Sequence, residues 1–149
     1  MKKFLFCYGT LLPEHAPLSV CRLLRKLRPL GPATVRGRLY DLGSYPGAVL
    51  DASSATRISG HIFALPAGGD VLHLLDDYEG FNAADPADSL FIRRACHAAM
   101  PDGNTRKCWI YLYNRRLGSA RPIPGGKYLG SRKSRCVPQG FHIGTGAIR

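Results

Sequence analysis

Glutamate is almost missing from this chain. Of 149 residues only Glu14 and Glu79 are glutamates, and ten acidic side chains face 21 lysines and arginines. Paired cysteines are missing as well. Cys7, Cys21, Cys96, Cys108 and Cys136 are odd in number and include no C-x-x-C pair. That spacing argues against a disulfide framework or a zinc site and suits a reducing cytosol. His15, His61, His73, His97 and His142 show no ligand spacing, so no metal is expected. No apolar run approaches the length of a membrane span, which argues against a membrane partner. Lys2-Lys3 and the apolar residues behind them imitate the start of a signal peptide. The run stops at Pro13-Glu14-His15 without a small-residue cleavage site, so it reads as a first strand in a cytoplasmic protein.

Internal repeats and linkers are also absent. The length and the apolar content of 45% fit one globular domain over residues 1–149, with its own core. A basic, mobile tail is expected from about residue 131. The formal charge is +11, and residues 114–149 carry eight lysines or arginines and no acid. A basic balance of this kind favours anionic ligands or nonspecific nucleic-acid contact. It also arises from a solvated face, the preferred reading here, because no aromatic-interleaved nucleic-acid signature accompanies it.

What is present starts with Phe4-Leu5-Phe6-Cys7-Tyr8-Gly9-Thr10-Leu11. An apolar, aromatic run of this length reads as a buried strand, and Gly9-Thr10 breaks it into a tight turn. Successive N–H groups in such a turn converge on one point and form a small anion nest. Pro17 to Leu30 reads as a helix, with Val20, Leu23, Leu24 and Leu27 at helical spacing and Arg22, Arg25, Lys26 and Arg28 largely off that face. Pro29 and Gly31-Pro32 stop it. Strands follow at Ala33–Leu42, Ala48–Leu50 and Ile58–Leu65, with Gly60 marking a bulge or a close approach. A second helix begins at an Asp70 cap. It sets Val71, Leu74, Leu75 and Tyr78 on one apolar face, Asp76 and Asp77 away from it, and Glu79 on its flank. Gly80 closes this helix. Residues 82–89 read as a polar loop, and Leu90–Met100 with Lys107–Asn114 as a long hairpin. The whole is α+β: a small, mixed, strand-dominated barrel flanked by two helices.

Three stretches taken together resemble the gamma-glutamylcyclotransferase-like superfamily, which includes the gamma-glutamylamine cyclotransferases. They are Tyr8-Gly9-Thr10-Leu11, the Gly37–Gly43 block running on to Tyr45-Pro46-Gly47, and Leu75 to Arg93. The resemblance spans Phe4 to about Leu129. It implies a cofactor-independent intramolecular aminolysis that releases 5-oxoproline and a free amine or amino acid from a small gamma-glutamyl substrate. By the same resemblance Glu79 is the general acid–base, and Tyr8, Gly9, Thr10 and Leu11 hold the glutamyl head. Their N–H groups suit either the α-carboxylate or the oxyanion at the γ-carbonyl. Read from the residues alone, Glu79 is an ordinary solvated carboxylate near a helix end. The negative end of the helix dipole and burial beside Leu75 and Tyr78 would both raise its pKa. Thr10 could equally be a turn hydroxyl and Tyr8 a core ring.

One departure from the family stands out. Many members carry tyrosine where this chain has Phe91, in Leu90-Phe91-Ile92-Arg93, so a hydroxyl that could bond substrate is missing. Tyr113 and Tyr128 are candidate replacements that also read as structural. Cys7 has no histidine placed to activate it and reads as buried and inert. The loop at Tyr45-Pro46-Gly47 lies near the pocket in the family and reads as structural here. Two other functions compete: a catalytically idle small-molecule-binding module with the same fold, and a basic nucleic-acid-binding protein. The leaving amine and the oligomeric state stay open.

Overall fold

A computed structural model describes residues 3–130. Their order is β1 (Phe4–Cys7), α1 (Leu18–Leu24), β2 (Arg28–Asp41), β3 (Pro46–Leu50), β4 (Arg57–Ala64), α2 (Asp70–Glu79), β5 (Phe91–Ala99), β6 (Thr105–Tyr113) and β7 (Arg121–Pro122). The basic tail expected from about residue 131 lies outside the described residues.

Strand order is β3-β2-β4-β1-β6-β5, and Thr34 of β2 pairs with Ala99 of β5. That last pairing closes β2, β4, β1, β6 and β5 into a five-stranded barrel. Neighbours run antiparallel except β1 and β6, which are parallel at Leu5 and Trp109. The far end of β2 leaves the barrel and pairs with β3 and with the short β7. With two helices outside, this is the expected strand-dominated α+β barrel.

Side-chain alternation divides the apolar residues into two cores. Phe6 and Tyr8, Val35 and Leu39, Ile58 and Ile62, Cys96 and Ala98, and Cys108 and Ile110 form one cluster. All five barrel strands contribute to it, so it fills the barrel. Leu5, Cys7, Phe63, Phe91 and Tyr111 point the other way and pack against Val20, Leu24, Val71 and Leu75 of the helices. Gly60 has the close approach anticipated for it: a Cβ there would run into the Cys7 carbonyl.

Three expectations need correction. The first helix ends at Leu24, well short of Leu30, because Arg28 to Pro32 are drawn into β2 beside Phe63 and Ile62. The β2–β4 register slips between Pro29 and Gly31, so Pro29 stands at an irregularity of the ladder, where proline is tolerated. Asp70 is the first residue of α2 and caps nothing with its side chain; Gly69 holds the cap position. The buried face of α2 is also rotated from the anticipated one. Val71, Leu72, Leu75 and Asp76 are buried, whereas Leu74 and Tyr78 are exposed. The helix leans towards the barrel on the side that holds a partner for Asp76, described below.

Candidate active site

The chain leaves β1 at Cys7, and Gly9 to Leu12 form a turn closed by the Leu12 N–H donating to the Gly9 carbonyl at 2.9 Å. The amides of Thr10 and Leu11, at the centre of the turn, donate to no other described group. Glycine is required at position 9 by contact: a Cβ there would stand 2.5 Å from Pro46 Cγ. Pro46 therefore lies directly on the turn. The Tyr8 hydroxyl is fully used, donating to the Tyr111 carbonyl at 2.7 Å and accepting from the Ala48 N–H at 3.2 Å. Tyr8 offers a ligand its ring, while its hydroxyl ties β1 to β6 and β3.

Glu79 is the last residue of α2. The helix stops there because Gly80 adopts a left-handed conformation (φ 73°) and the Phe81 N–H returns to the Asp76 carbonyl at 2.9 Å. The Glu79 side chain is half-buried, and its carboxyl makes no hydrogen bond or ion pair with the described residues. Removal from water disfavours the charged form, and burial pushes its pKa up to about 8. The direction matches the sequence reading, with burial as the cause. Neighbouring groups feel this carboxyl. Burial first, and then the charge of Glu79, raise the Cys7 thiol and the Tyr8 phenol. A thiol so placed stays protonated and is a poor nucleophile.

Glu79 and the Tyr8–Leu11 turn line one cavity of about 260 Å³. Its base is formed by Phe6, Cys7, Tyr8, Phe91 and Tyr111, all buried. Its rim is Thr10, Tyr45, Leu90 and Tyr78, the last 37% exposed. The Tyr78 hydroxyl reaches Thr10 Oγ1 at 3.5 Å, joining α2 to the turn. Among the described residues, Glu79 is the one charged residue in the lining.

Asp76 departs from the solvent-side role expected of it. It is 6% exposed and accepts three hydrogen bonds: from Arg93 Nε at 2.8 Å, Arg93 Nη2 at 3.0 Å and the Tyr111 hydroxyl at 2.6 Å. The Arg93 guanidinium lies over the Trp109 ring, 4.5 Å from its centroid, with Phe81 at 5.6 Å. The physical reason is register. Arg93 pairs with Tyr111 across β5 and β6, so a cation and a phenol leave the barrel together beneath α2, and a buried cation needs a carboxylate. A lone arginine on the same strand face as Phe91 was the available sequence signal.

Phe91 sits in the cavity wall, packed against Tyr45 at 5.8 Å and edge-on to Tyr113 at 5.5 Å. Neither candidate replacement hydroxyl is in the lining: Tyr113 backs Phe91, and Tyr128 packs on His15. Tyr45 and Pro46, read as structural from sequence, are lining residues. Among the described residues, no group of three or more His, Cys, Asp or Glu side chains could hold a metal ion. No described helix is long and apolar enough to cross a membrane.

A family model described as gamma-glutamyl cyclotransferase, AIG2-like, matches residues 5–130. No curated protein matches the sequence. Among solved structures, an AIG2-like protein from Mus musculus is 17% identical with a TM-score of 0.65, over 90% of this chain and 99% of that one. YkqA from Bacillus subtilis is 22% identical with a TM-score of 0.63, over 86% of this chain but only 40% of its own length. A gamma-glutamyl cyclotransferase is 17% identical with a TM-score of 0.57, over 83% of this chain and 73% of that one. At these identities the likeness is one of fold.

Proposed function

The chain belongs to the gamma-glutamyl cyclotransferase, AIG2-like family, and on that premise we propose that it converts a gamma-glutamyl amide into 5-oxoproline and a free amine, with Glu79 as general acid–base. One observation carries the assignment. A carboxyl that no described residue pairs, raised by burial to about 8, lines the same small cavity as the amides of Thr10 and Leu11, which donate to no other described group. A base tuned to that range exchanges protons readily near neutral pH.

In this reading the substrate enters head first. Glu79 in its ionised form takes a proton from the α-ammonium group. The freed amine attacks the γ-carbonyl carbon of the same molecule, and a new C–N bond closes the five-membered ring. The turn amides stabilise the oxygen that becomes negative. The intermediate collapses as the original C–N bond breaks, and Glu79 returns a proton to the departing nitrogen. The second proton lost by the attacking nitrogen leaves with the amine, so the sum is neutral gamma-glutamyl amide to 5-oxoproline carboxylate plus ammonium. Both reacting groups belong to one molecule, so holding it in a ring-closing pose accounts for much of the acceleration. The rings at the base suit the methylenes of the glutamyl unit.

The test is release of 5-oxoproline from gamma-glutamyl amines, gamma-glutamyl amino acids and glutathione by wild type and Glu79→Gln. Release by wild type alone supports both reaction and residue. Equal release by both proteins removes Glu79 from the mechanism. A second reading is favoured by Phe91, whose ring occupies the wall where a hydroxyl would otherwise point in: a module that binds the glutamyl head without turning it over. Binding by titration calorimetry without product release would establish that reading instead.

A further inference from the structure

We infer that Cys96 and Cys108 are a reversible oxidation site inside the barrel, joined as a disulfide by a hydroperoxide and separated again by thiols. The pair takes no part in the reaction proposed above, and the inference does not rest on it.

Cys96 and Cys108 stand directly opposite each other on β5 and β6. Alternation turns both side chains into the barrel, in one cluster with Phe6, Val35 and Ile110. Both thiols are free, and their sulfurs touch at 3.7 Å. Cβ atoms of an opposed cross-strand pair lie about 4.5–5.5 Å apart, and a disulfide needs about 3.5–4.5 Å. The two ranges meet. From 3.7 Å the sulfurs therefore reach a bond of about 2.0 Å by a small approach of the two strands.

The other described cysteines lack this arrangement. Cys7 faces the helices in the cluster of Leu5, Phe63 and Leu75, and burial raises its thiol. Cys21 donates its S–H to the Pro17 carbonyl at 3.4 Å. Contact within the pair also sets which sulfur reacts first. A hydrogen bond from the Cys108 S–H lowers the Cys96 pKa, while the same bond and burial hold Cys108 well above the usual thiol range. Cys96 is the sulfur that ionises, and Cys108 stays beside it as a thiol.

Access is narrow. Cys96 is 8% exposed, and Cys108 lines a depression of about 830 Å³ shared with Lys3, Phe4 and Arg106. Hydrogen peroxide is small enough for such an approach, whereas a peptide disulfide does not reach sulfurs this deeply buried. The Cys96 thiolate attacks one peroxide oxygen: an S–O bond forms, the O–O bond breaks and hydroxide leaves, taking up the proton that Cys96 lost. Cys108 then attacks the Cys96 sulfur. The S–S bond forms, the S–O bond breaks, and the oxygen departs as water with the Cys108 proton. Two thiols and one peroxide thus give one disulfide and two waters, with two electrons passing from sulfur to peroxide. A second thiol at hand stops the oxidation at this reversible stage.

Peptide mapping of the whole chain tests the inference. Trypsin separates the pair, leaving Cys96 in residues 95–106 and Cys108 in residues 108–115. The folded protein is treated with a few equivalents of hydrogen peroxide, unfolded in iodoacetamide, digested and weighed. The expected product is the two peptides joined, two hydrogens lighter than their sum, and apart again when dithiothreitol precedes alkylation. In Cys108→Ser the same treatment is expected to carry Cys96 on to sulfinic acid, because no thiol is left to intercept it. Recovery of Cys96 as an unmodified thiol in that variant overturns its role as the attacking sulfur. Wild-type Cys96 and Cys108 both recovered alkylated while Cys7, Cys21 or Cys136 is oxidised, or either one joined to those cysteines instead, overturns the inference.

Discussion

Asp76 and Glu79 stand three residues apart on α2 and meet opposite surroundings. Side chains at this spacing share a face of a helix. Asp76 accepts three hydrogen bonds from Arg93 and Tyr111, whereas Glu79 accepts none from the described residues. The first carboxylate fixes the helix to the barrel wall. The second, one turn further on, is carried by that anchor to the cavity and left without a partner among the described residues. The same residue chemistry thus supplies a structural pin and a candidate proton carrier within a single turn.

Cutting that pin should cost stability. Asp76→Ala leaves the Arg93 guanidinium enclosed between Trp109 and Phe81 with no carboxylate. The expected loss is about 3–5 kcal/mol, read as a lower midpoint in urea. The double variant Asp76→Leu with Arg93→Met removes both charges and should recover much of it. A single variant within about half a kcal/mol of wild type would mean that the pair does not hold the helix.

The pH dependence of the Glu79 carboxyl can be followed directly. With only two glutamates in the chain, ¹³C labelling of glutamate leaves two carboxyl resonances, and Glu79→Gln identifies which is which. The Glu79 signal should titrate near 8. In the proposed reaction, kcat/KM then rises with pH through the same range, since the base must be ionised to accept the first proton. A midpoint in the ordinary carboxylate range would remove burial as the cause.

A carboxyl held up by burial also has a stability signature. Its folded pKa is about 8 against 4.5 for the solvated group in the unfolded chain, so the folded state binds the proton more tightly and stability falls as pH rises from the lower value to the higher. Glu79→Gln cannot ionise and escapes that loss. Wild type and variant should therefore match at pH 4, diverge between the two pKa values, and differ by a constant amount above pH 8, where the variant is more stable by on the order of a few kcal/mol. Parallel thermal-melting curves across the whole range would contradict this.

Gly9→Ala is expected to act on the cavity through Pro46. The added methyl would lie 2.5 Å from Pro46 Cγ, so the turn and the Tyr45-Pro46 segment must separate. Overpacking of this kind costs about 1–3 kcal/mol, and the displaced wall should raise KM more than it lowers stability. Unaltered KM and melting temperature would show that the contact yields without effect.

Local patterns made much of this legible in the sequence. The turn after β1, the glycine that ends α2 and the β5–β6 hairpin are all dictated by neighbours in the chain, and each appears where periodicity and glycine place it. The start of β2 was not legible, because prolines and glycine at 29–32 read as breakers until β4 supplies a ladder beside them. The rotation of α2 was hidden for a related reason. Helical spacing put Leu74 and Tyr78 inside, whereas the ion pair with a residue on β5 turns Asp76 inward. Burial of a carboxylate depends on a partner distant in sequence, and no window of residues displays it. For the same reason the turn at 8–11 and Glu79 were nameable only through likeness to a family, while Tyr45 and Tyr111 were missed in the cavity.

The parallel contact between β1 and β6 has a consequence for how the molecule is made. Tyr8 reaches Tyr111 across 103 positions of chain, and β1 lies between β4 and β6 in the barrel. On the ribosome β1 and Glu79 emerge long before the strand that walls them in. Until then β1 has one open edge, and Glu79 is a hydrated carboxylate of ordinary acidity. The proton affinity that suits Glu79 to the proposed chemistry therefore arrives only when the barrel closes, as a property of the finished chain.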